Sequence, residues 1–195
     1  EVLAAGAALP PRFAPGAGVS YANINAILPA LAAEQATGVS FPALAAQVVL
    51  GPGGAEGLAF MPEAALPEPF ARGYRHGRRK GRIEYGRRLF DATHFNPSWS
   101  WVAGSHAGAV SALIALIREI DGELRYAAPA ADGYGFLVHR QGDLVGHAGD
   151  VPGYSAWAGI RIGDGRAIAV IANLSNLPDG RNPAAVLALE IAERM

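Results

Sequence analysis

The sequence predicts an α/β (α+β) fold, in which an antiparallel sheet is flanked by helices and joined to a mostly helical region. Residues 154–162 and 166–176 are two nearly continuous apolar runs around the turn Gly163-Asp164-Gly165. Such a pair is typical of a β-hairpin that helices cover on both faces. Apolar residues spaced by three, four and seven along 24–31 predict a helix upstream of it.

The predicted helices have recognisable boundaries. Gly38 ends the helix that starts near Ile24, and the pair Ser40 and Pro42 opens a short helix over residues 44–50. A third helix is predicted over about residues 110–120. The last helix begins at Asn182-Pro183, and it carries the apolar residues Val186, Leu187, Leu189 and Ile191.

Two regions follow from this pattern. Residues 1–130 form a helical region, interrupted at 51–100 by a long loop excursion that is rich in Pro, Gly and Arg and has little periodicity. Residues 131–195 carry the C-terminal strands and the last helix.

Composition limits the functional classes. The 195 residues are 51% hydrophobic with a formal net charge of -1, so a sizeable core is expected and nucleic acid is not the expected partner. The basic stretch 72–88 is better explained as a solvated loop. No apolar run approaches the ~18 residues of a membrane span. Without cysteine, and with five histidines that lack a His-x-x-x-His pairing, the sequence predicts no metal site and no cofactor.

Two short motifs hold the candidate site residues. Tyr21-Ala22-Asn23 lies where a Pro/Gly-rich loop meets a helix, so its phenol and amide are expected on one side of a cleft. His147-Ala148-Gly149 lies on or beside an inner strand, where glycine lets a ligand approach the backbone. Structural alternatives stay open for each: a hydrogen-bonded structural Tyr21, a helix-capping Asn23 and a structural His147.

These motifs and their order resemble a known family. The Tyr-x-Asn motif, the Ala71-Arg72-Gly73-Tyr74 element, the segment Trp101-Val102-Ala103-Gly104 and the C-terminal series from Tyr134-Gly135 through Gly146-His147-Ala148-Gly149 to Asn176 follow the pattern of serine β-lactamase-like hydrolases. The similarity is strongest to the D-alanyl-D-alanine carboxypeptidase, D-aminopeptidase and esterase branch. It covers nearly the whole chain and implies a β-lactamase/transpeptidase-like fold and an acyl-enzyme mechanism.

The resemblance also implies roles for single residues. Tyr21 would be the base or proton relay, and Asn23 would hold the acyl amide and the catalytic lysine. His147, where other branches carry lysine, would support Tyr21 electrostatically or by a hydrogen bond. Gly149 would leave room for the substrate, and the backbone N–H of Asp150 would be one oxyanion donor.

Two departures bear on the substrate. Histidine in the third motif argues against a dedicated β-lactamase. Ala148 replaces a threonine whose hydroxyl can bind a substrate carboxylate, and His139 or Arg140 on the neighbouring strand are the candidates for a compensating cation. Peptide, amide and ester hydrolysis are therefore all expected of this site.

The family's nucleophile is absent from the sequence. Its Ser-x-x-Lys motif has no counterpart, because Gly77 stands three residues before the single lysine, Lys80. We therefore expect this chain to be the C-terminal portion of a longer protein. Its partners would be a small-molecule or peptide substrate and a segment, in the same or a separate chain, that carries the N-terminal strands and the nucleophile helix.

Without that segment, residues 146–173 are expected to expose an unpaired sheet edge and an apolar face. A non-catalytic binding or sensor module and an acyltransferase on the same scaffold stay open as alternatives. The resemblance favours a periplasmic or secreted protein over a cytoplasmic one.

Overall fold

The structure, a computed structural model, describes residues 6, 9–48, 57–61, 66, 68–77 and 88–195. Its helices and strands in chain order are α1 (Ile24–Thr37), α2 (Phe41–Val48), β1 (Leu58–Phe60), β2 (Tyr74–His76), β3 (Leu89–Asp91), a 3-10 turn (Trp101–Ala103), β4 (His106–Gly108), α3 (Val110–Glu119), α4 (Asp121–Ala127), β5 (Gly133–Tyr134), β6 (His139–Gln141), β7 (Leu144–Val151), β8 (Tyr154–Arg161), β9 (Ala167–Ala172) and α5 (Pro183–Arg194). The predicted mixed α/β fold with an antiparallel sheet and flanking helices is confirmed.

The C-terminal region is built on a five-stranded antiparallel sheet in the order β5-β6-β7-β8-β9. The predicted hairpin is its β8-β9 pair, in which Ser155 faces Ala172 and Ile160 faces Ala167. Strand β7, which carries the His-x-Gly motif, is the middle strand of the sheet, as predicted.

Helices cover both faces of this sheet, because alternate residues of its strands are apolar on both sides. One core contains Val145 and Ile160, together with residues of α3 and α4: Ile117 and Leu124. The other contains Leu144, Trp157 and Ile168, packed against two alanines of α5, Ala184 and Ala188.

Helix α1 has the predicted bounds, and three of its four predicted apolar positions are buried or half-buried. Gly38 adopts a left-handed conformation, φ 70°, and its N–H caps the helix on Glu34 O. Of the four apolar residues that set the period, Ile27 is buried, whereas Leu28 is 51% exposed. The main contacts of α1 are with α2 and the 3-10 turn. These elements are too small to cover a full helix face.

Helix α2 begins earlier than residues 44–50 would require. The N–H of Leu44 donates to Ser40 O at 2.9 Å, so the first turn closes at Ser40 and the helix runs Phe41–Val48. Residues 49–50 lie outside the described residues.

The region 51–100 is predicted as one long loop, but its described residues include three short strands. Strand β1 pairs with β4, and β2 pairs with β3, in two small antiparallel sheets. Each strand has only three residues. Strands this short are held by their distant partners and by local contacts; for example, Thr93 Oγ1 accepts a hydrogen bond from Gly73 N–H at 2.9 Å. They leave no periodic signal in the sequence. Residues 78–87, most of the basic stretch, lie outside the described part of the chain.

Helix α5 starts where the sequence predicts, with Asn182 as its N-cap. Small residues, Ala184 and Ala188, make its buried contact, while Leu187 is 46% and Ile191 is 41% exposed. No helix among the described residues is long and apolar enough to cross a bilayer.

Candidate active site

An open pocket of about 260 Å³ lies along the free edge of strand β7. Strand β6 pairs only with residues 144–146 of β7, so residues 147–151 have β8 on one side and the pocket on the other. One wall comes from the N-terminal region: Tyr21, Asn23, Trp99, Ser100, Ala103 and Leu113. The other comes from the sheet: His147, Ala148, Gly149, Asp150, Val151, Ala156 and Ala158. The two sequence motifs therefore face one cavity.

Tyr21 and Asn23 are joined by a hydrogen bond at the entrance to helix α1. The Tyr21 hydroxyl donates to Asn23 Oδ1 at 2.9 Å. Asn23 has helical backbone angles, and its side chain makes no capping bond in this fully described helix. Its side chain is therefore not used as a helix cap, and its oxygen is bonded to Tyr21 in the lining of the pocket.

The ring of His147 is fixed by hydrogen bonds at both nitrogens. Nδ1 lies 2.6 Å from Ala148 O, and Nε2 lies 3.3 Å from the hydroxyl of Tyr134. A carbonyl oxygen can only accept, so Nδ1 carries the proton and Nε2 of the neutral ring accepts from Tyr134. Burial lowers the pKa of His147, with the charge of His139 adding to the effect and the Ala148 hydrogen bond opposing it. The neutral ring is therefore the resting form at pH 7.

Tyr134 is the site residue that sequence reasoning did not assign. Besides its bond to His147, its ring centroid lies 5.6 Å from Tyr21 and 4.9 Å from His139. Burial, and then the proximity of Tyr21, raise the pKa of Tyr134, so it stays a hydrogen-bond donor. Its signal in the sequence is its place in the Tyr134-Gly135 pair, which is part of the family pattern but to which no role is assigned from the sequence.

The backbone of β7 determines which groups face the pocket. A Cβ built on Gly159 would lie 2.6 Å from Gly146 Cα, so these paired residues form a close pair without mutual hydrogen bonds. Hydrogen-bonded and non-hydrogen-bonded pairs alternate along β7 and β8. Gly149 therefore directs its N–H and C=O toward Ala156 of β8, and Asp150 directs its own outward, into the pocket.

The other groups at Gly149 and Asp150 have separate effects. A Cβ at Gly149 would meet Ala156 Cβ at an ordinary 3.8 Å, so the sheet itself does not require glycine there. Desolvation by the surrounding protein raises the pKa of the Asp150 carboxyl to about 6, and the charge of Arg75 opposes the rise.

His139 and Arg140 do not line the pocket. The Arg140 guanidinium donates to the carbonyls of Pro129 and Ala130, at 3.2 and 3.0 Å. His139 stacks against Tyr134 and lowers the pKa of His147. Arg140 is thus directed at a neighbouring loop rather than at a ligand in this pocket.

The serine in the pocket wall is a structural residue. Ser100 is 1% exposed, and its Oγ donates to Pro97 O at 2.8 Å beside the hydroxyl of Ser105. It is therefore held as part of the wall. Among the described residues, no group of three or more His, Cys, Asp or Glu side chains is arranged to hold a metal ion.

Comparisons with known proteins agree with this architecture. A family model described as Beta-lactamase matches residues 1–193. A D-stereospecific amidohydrolase from Streptomyces sp. has 21% identity and a TM-score of 0.73, with 89% of this chain and 56% of that chain covered. D-amino acid amidase from Ochrobactrum anthropi SV3, complexed with D-phenylalanine, has 20% identity and a TM-score of 0.71, over 93% and 63%.

A penicillin binding protein from Bacillus halodurans has 19% identity and a TM-score of 0.66, with 94% of this chain and 59% of that chain covered. At these identities the likeness concerns the fold. The chain spans less than two thirds of the length of these three structures.

Proposed function

Because this chain belongs to the β-lactamase family, we propose that it forms part of a serine hydrolase that acts through an acyl-enzyme on amide, peptide or ester bonds. The observation that carries the proposal is the pocket on β7, which brings Tyr21, Asn23, His147 and the outward N–H of Asp150 around one space. Acyl transfer to a serine needs a group that takes up the serine proton and a donor for the oxyanion, and a phenol and a backbone N–H can fill these two roles.

In the proposed reaction, a serine supplied by a segment outside this sequence attacks the substrate carbonyl. The serine proton passes to the oxygen of Tyr21, while the hydroxyl proton of Tyr21, released from Asn23 Oδ1, passes to the leaving amine or alcohol. The leaving group departs as the acyl-enzyme forms. The Asp150 N–H stabilises the oxyanion of the tetrahedral intermediate. Water then attacks the acyl-enzyme by the same route and releases the acid and the serine.

His147 would support this site by position rather than by charge. Its Nε2 is bonded to Tyr134 and its pKa is lowered by burial, so at pH 7 it brings no positive charge to Tyr21. Its ring centroid lies 5.6 Å from that of Tyr21, so the fixed imidazole forms the surface against which the Tyr21 phenol packs.

The charge of the pocket bears on the substrate. Its described lining holds no lysine or arginine, and Ala148 lacks the hydroxyl that the family uses for a carboxylate. A neutral acyl amide is therefore a better ligand than a substrate that ends in a carboxylate next to the scissile bond. We favour amino acid amides and esters, in line with the names of two structural neighbours, a D-stereospecific amidohydrolase and a D-amino acid amidase.

Covalent labelling tests the proposal. The longer protein with its upstream serine should react with a fluorophosphonate or a fluorescent penicillin, and Tyr21→Phe should slow labelling by roughly 10²–10⁴-fold, the usual contribution of a positioned general base. Tyr126→Phe is the matched control, because Tyr126 is 94% exposed on α4. Equal labelling rates for Tyr21→Phe and the unmodified protein would contradict the assigned role.

A second candidate is a binding module without turnover, which the absence of Ser-x-x-Lys from the sequence favours. It would bind D-phenylalanine amide through the same pocket without releasing ammonia, even when the full protein is used. Ammonia release by the full protein would exclude it.

A further inference from the structure

Asn182 connects the start of helix α5 to the strand that forms the pocket. Its Oδ1 accepts the N–H of Ala185 at 2.9 Å, which is an ordinary N-cap bond. Its Nδ2 donates to Gly149 O at 2.7 Å. One side chain thus serves two structures that lie 33 residues apart in the chain.

The Gly149 carbonyl belongs to the same peptide unit as the N–H of Asp150. In a trans peptide the C=O and the N–H point in opposite directions. Because the Gly149 C=O faces β8, where Asn182 reaches it, the Asp150 N–H faces the pocket. Asn182 therefore binds the C=O of the same peptide unit whose N–H faces the pocket.

A hydrogen bond to a carbonyl polarises its peptide and strengthens the N–H at the other end as a donor. It also restricts rotation of the peptide plane, which is the requirement for a preorganised oxyanion donor. Gly149 itself has no side chain that would limit this rotation, because glycine is the residue whose backbone rotates most freely.

We propose that Asn182 is a positioning residue for catalysis, which orients and polarises the Gly149–Asp150 peptide through its Nδ2–H···O bond. The inference rests on the proposed function, in which the Asp150 N–H binds the oxyanion. It assigns to the N-cap of α5 a role in the reaction, distinct from its role in starting the helix.

Substitutions separate the two roles. Asn182→Asp and Asn182→Ser keep an oxygen that can cap the helix, but they lose the amide donor, the first with a negative charge and the second without one. Asn182→Ala loses both. If Asn182 acted only as a cap, Asp and Ser would behave as the original residue does, and Ala alone would be impaired.

The test has two readouts. In the 195-residue chain, Asn182→Asp and Asn182→Ser should both shift the amide proton resonance of Asp150 upfield. In the longer protein, both should lower kcat for amino acid amide hydrolysis by about 5–10-fold, the effect of losing one modest hydrogen bond, with KM changed less than about twofold. Their urea midpoints should stay near that of the unmodified protein, unlike that of Asn182→Ala.

An unchanged Asp150 resonance and an unchanged kcat in Asn182→Ser would overturn the inference. If the unmodified longer protein hydrolysed nothing, the proposed function would fail, and the Asp150 resonance would still decide whether Asn182 controls this peptide. A loss of kcat that tracks the loss of stability across Asp, Ser and Ala would show a capping role alone.

Discussion

At the scale of single residues, two titratable groups on strand β7 respond to burial in opposite ways. His147 has a pKa lowered mainly by burial, and Asp150 has a pKa raised mainly by burial, to about 6. Burial disfavours the charged form in both cases. Since a histidine is charged below its pKa and a carboxyl above it, the two residues limit the stability of the fold at opposite ends of the pH range.

The sign for each follows from proton binding in the folded and unfolded chains. Below the unfolded pKa of histidine, the unfolded chain binds a proton that folded His147 does not bind, so stability is lost as pH falls through that window. Between 3.8, the ordinary pKa of an aspartate, and about 6, folded Asp150 holds a proton that the unfolded chain has released. Its contribution to stability therefore falls as pH rises through that window, and the full penalty applies above pH 6.

Asp150→Asn should accordingly stabilise the chain at pH 7.5 and leave it nearly unchanged near pH 4. The gain is about 1 kcal/mol, a figure that discounts the pKa shift for the partial exposure of the side chain. Urea denaturation at the two pH values measures it. Asp179→Asn is the control with the opposite sign, because hydrogen bonds from Arg181 lower the pKa of Asp179 and an asparagine loses their charge-assisted part. A gain for Asp150→Asn that is equal at both pH values would contradict this account.

At the scale of elements, regular segments were predictable and contacts across the fold were not. Helix α1, helix α3 and the β8-β9 hairpin follow from periodicity and turn residues within each segment. The bond from Tyr134 to His147 depends on a bend at Leu137, which has φ 59°, and on the pairing of β6 with β7. A positive φ at a leucine is uncommon and has no sequence signature.

In the candidate site, too, single motifs were predictable from the sequence and contacts across the fold were not. Tyr21, Asn23 and His147 were identifiable because their motifs are local, and the structure gathers them in one pocket. Asn182 was predictable as a helix start, but its contact with Gly149 was not, since it depends on how α5 packs on the sheet. For Arg140 the sequence indicates only a position on the neighbouring strand, and the side chain is bound to the carbonyls of Pro129 and Ala130 instead of facing the pocket.

Two isoleucines of the hairpin, Ile160 and Ile171, should differ sharply in their contribution to stability. Ile160 on β8 is 1% exposed between Val145 and the helices, whereas Ile171 on β9 is 40% exposed. Ile160→Ala should lower the free energy of unfolding by about 2–5 kcal/mol, and Ile171→Ala by less than about 1 kcal/mol. Urea denaturation of both variants provides the measurement, with each isoleucine serving as the control for the other. Similar losses would mean that β9 is covered in solution.

At the scale of the whole molecule, the sheet ends at β9. No strand of the described chain pairs with its outer edge, apart from a single parallel bridge beyond its end, between Tyr74 and Leu174. The helix packed against this strand exposes Leu187 and Ile191, and the strand itself exposes Ile171. An open edge with apolar neighbours is a surface that other chains can pair with.

We propose that the segment carrying the nucleophile covers this edge in the longer protein. The family relatives whose folds match are longer than this chain, which covers 56% and 63% of two of them. A strand added at β9 would complete the sheet, and a helix beside it would cover the apolar side chains of α5. From this edge the segment would also have to reach the pocket on β7, where its serine attacks the substrate.

Hydrogen exchange tests this arrangement residue by residue, because the amides of β9 alternate in direction. Gly159 makes no hydrogen bonds with Gly146 of β7, so its N–H and C=O point toward β9. By the alternation along β8, Gly159 is hydrogen-bonded to Ile168 and Trp157 to Val170. The amides of Ala169 and Ile171 point outward. In the 195-residue chain, Ile168 and Val170 should exchange slowly, and Ala169 and Ile171 rapidly.

In the longer protein all four amides should be protected, with the gain at Ala169 and Ile171 alone reaching at least about tenfold, since outward amides gain bonds only from an added strand. Leu187→Ala should then cost stability in the longer protein and almost none in the 195-residue chain, because Leu187 is 46% exposed here. Protection of Ala169 and Ile171 in the short chain at low concentration would show that its own residues cover the edge. Rapid exchange of both amides in the longer protein would place the nucleophile segment elsewhere on the molecule.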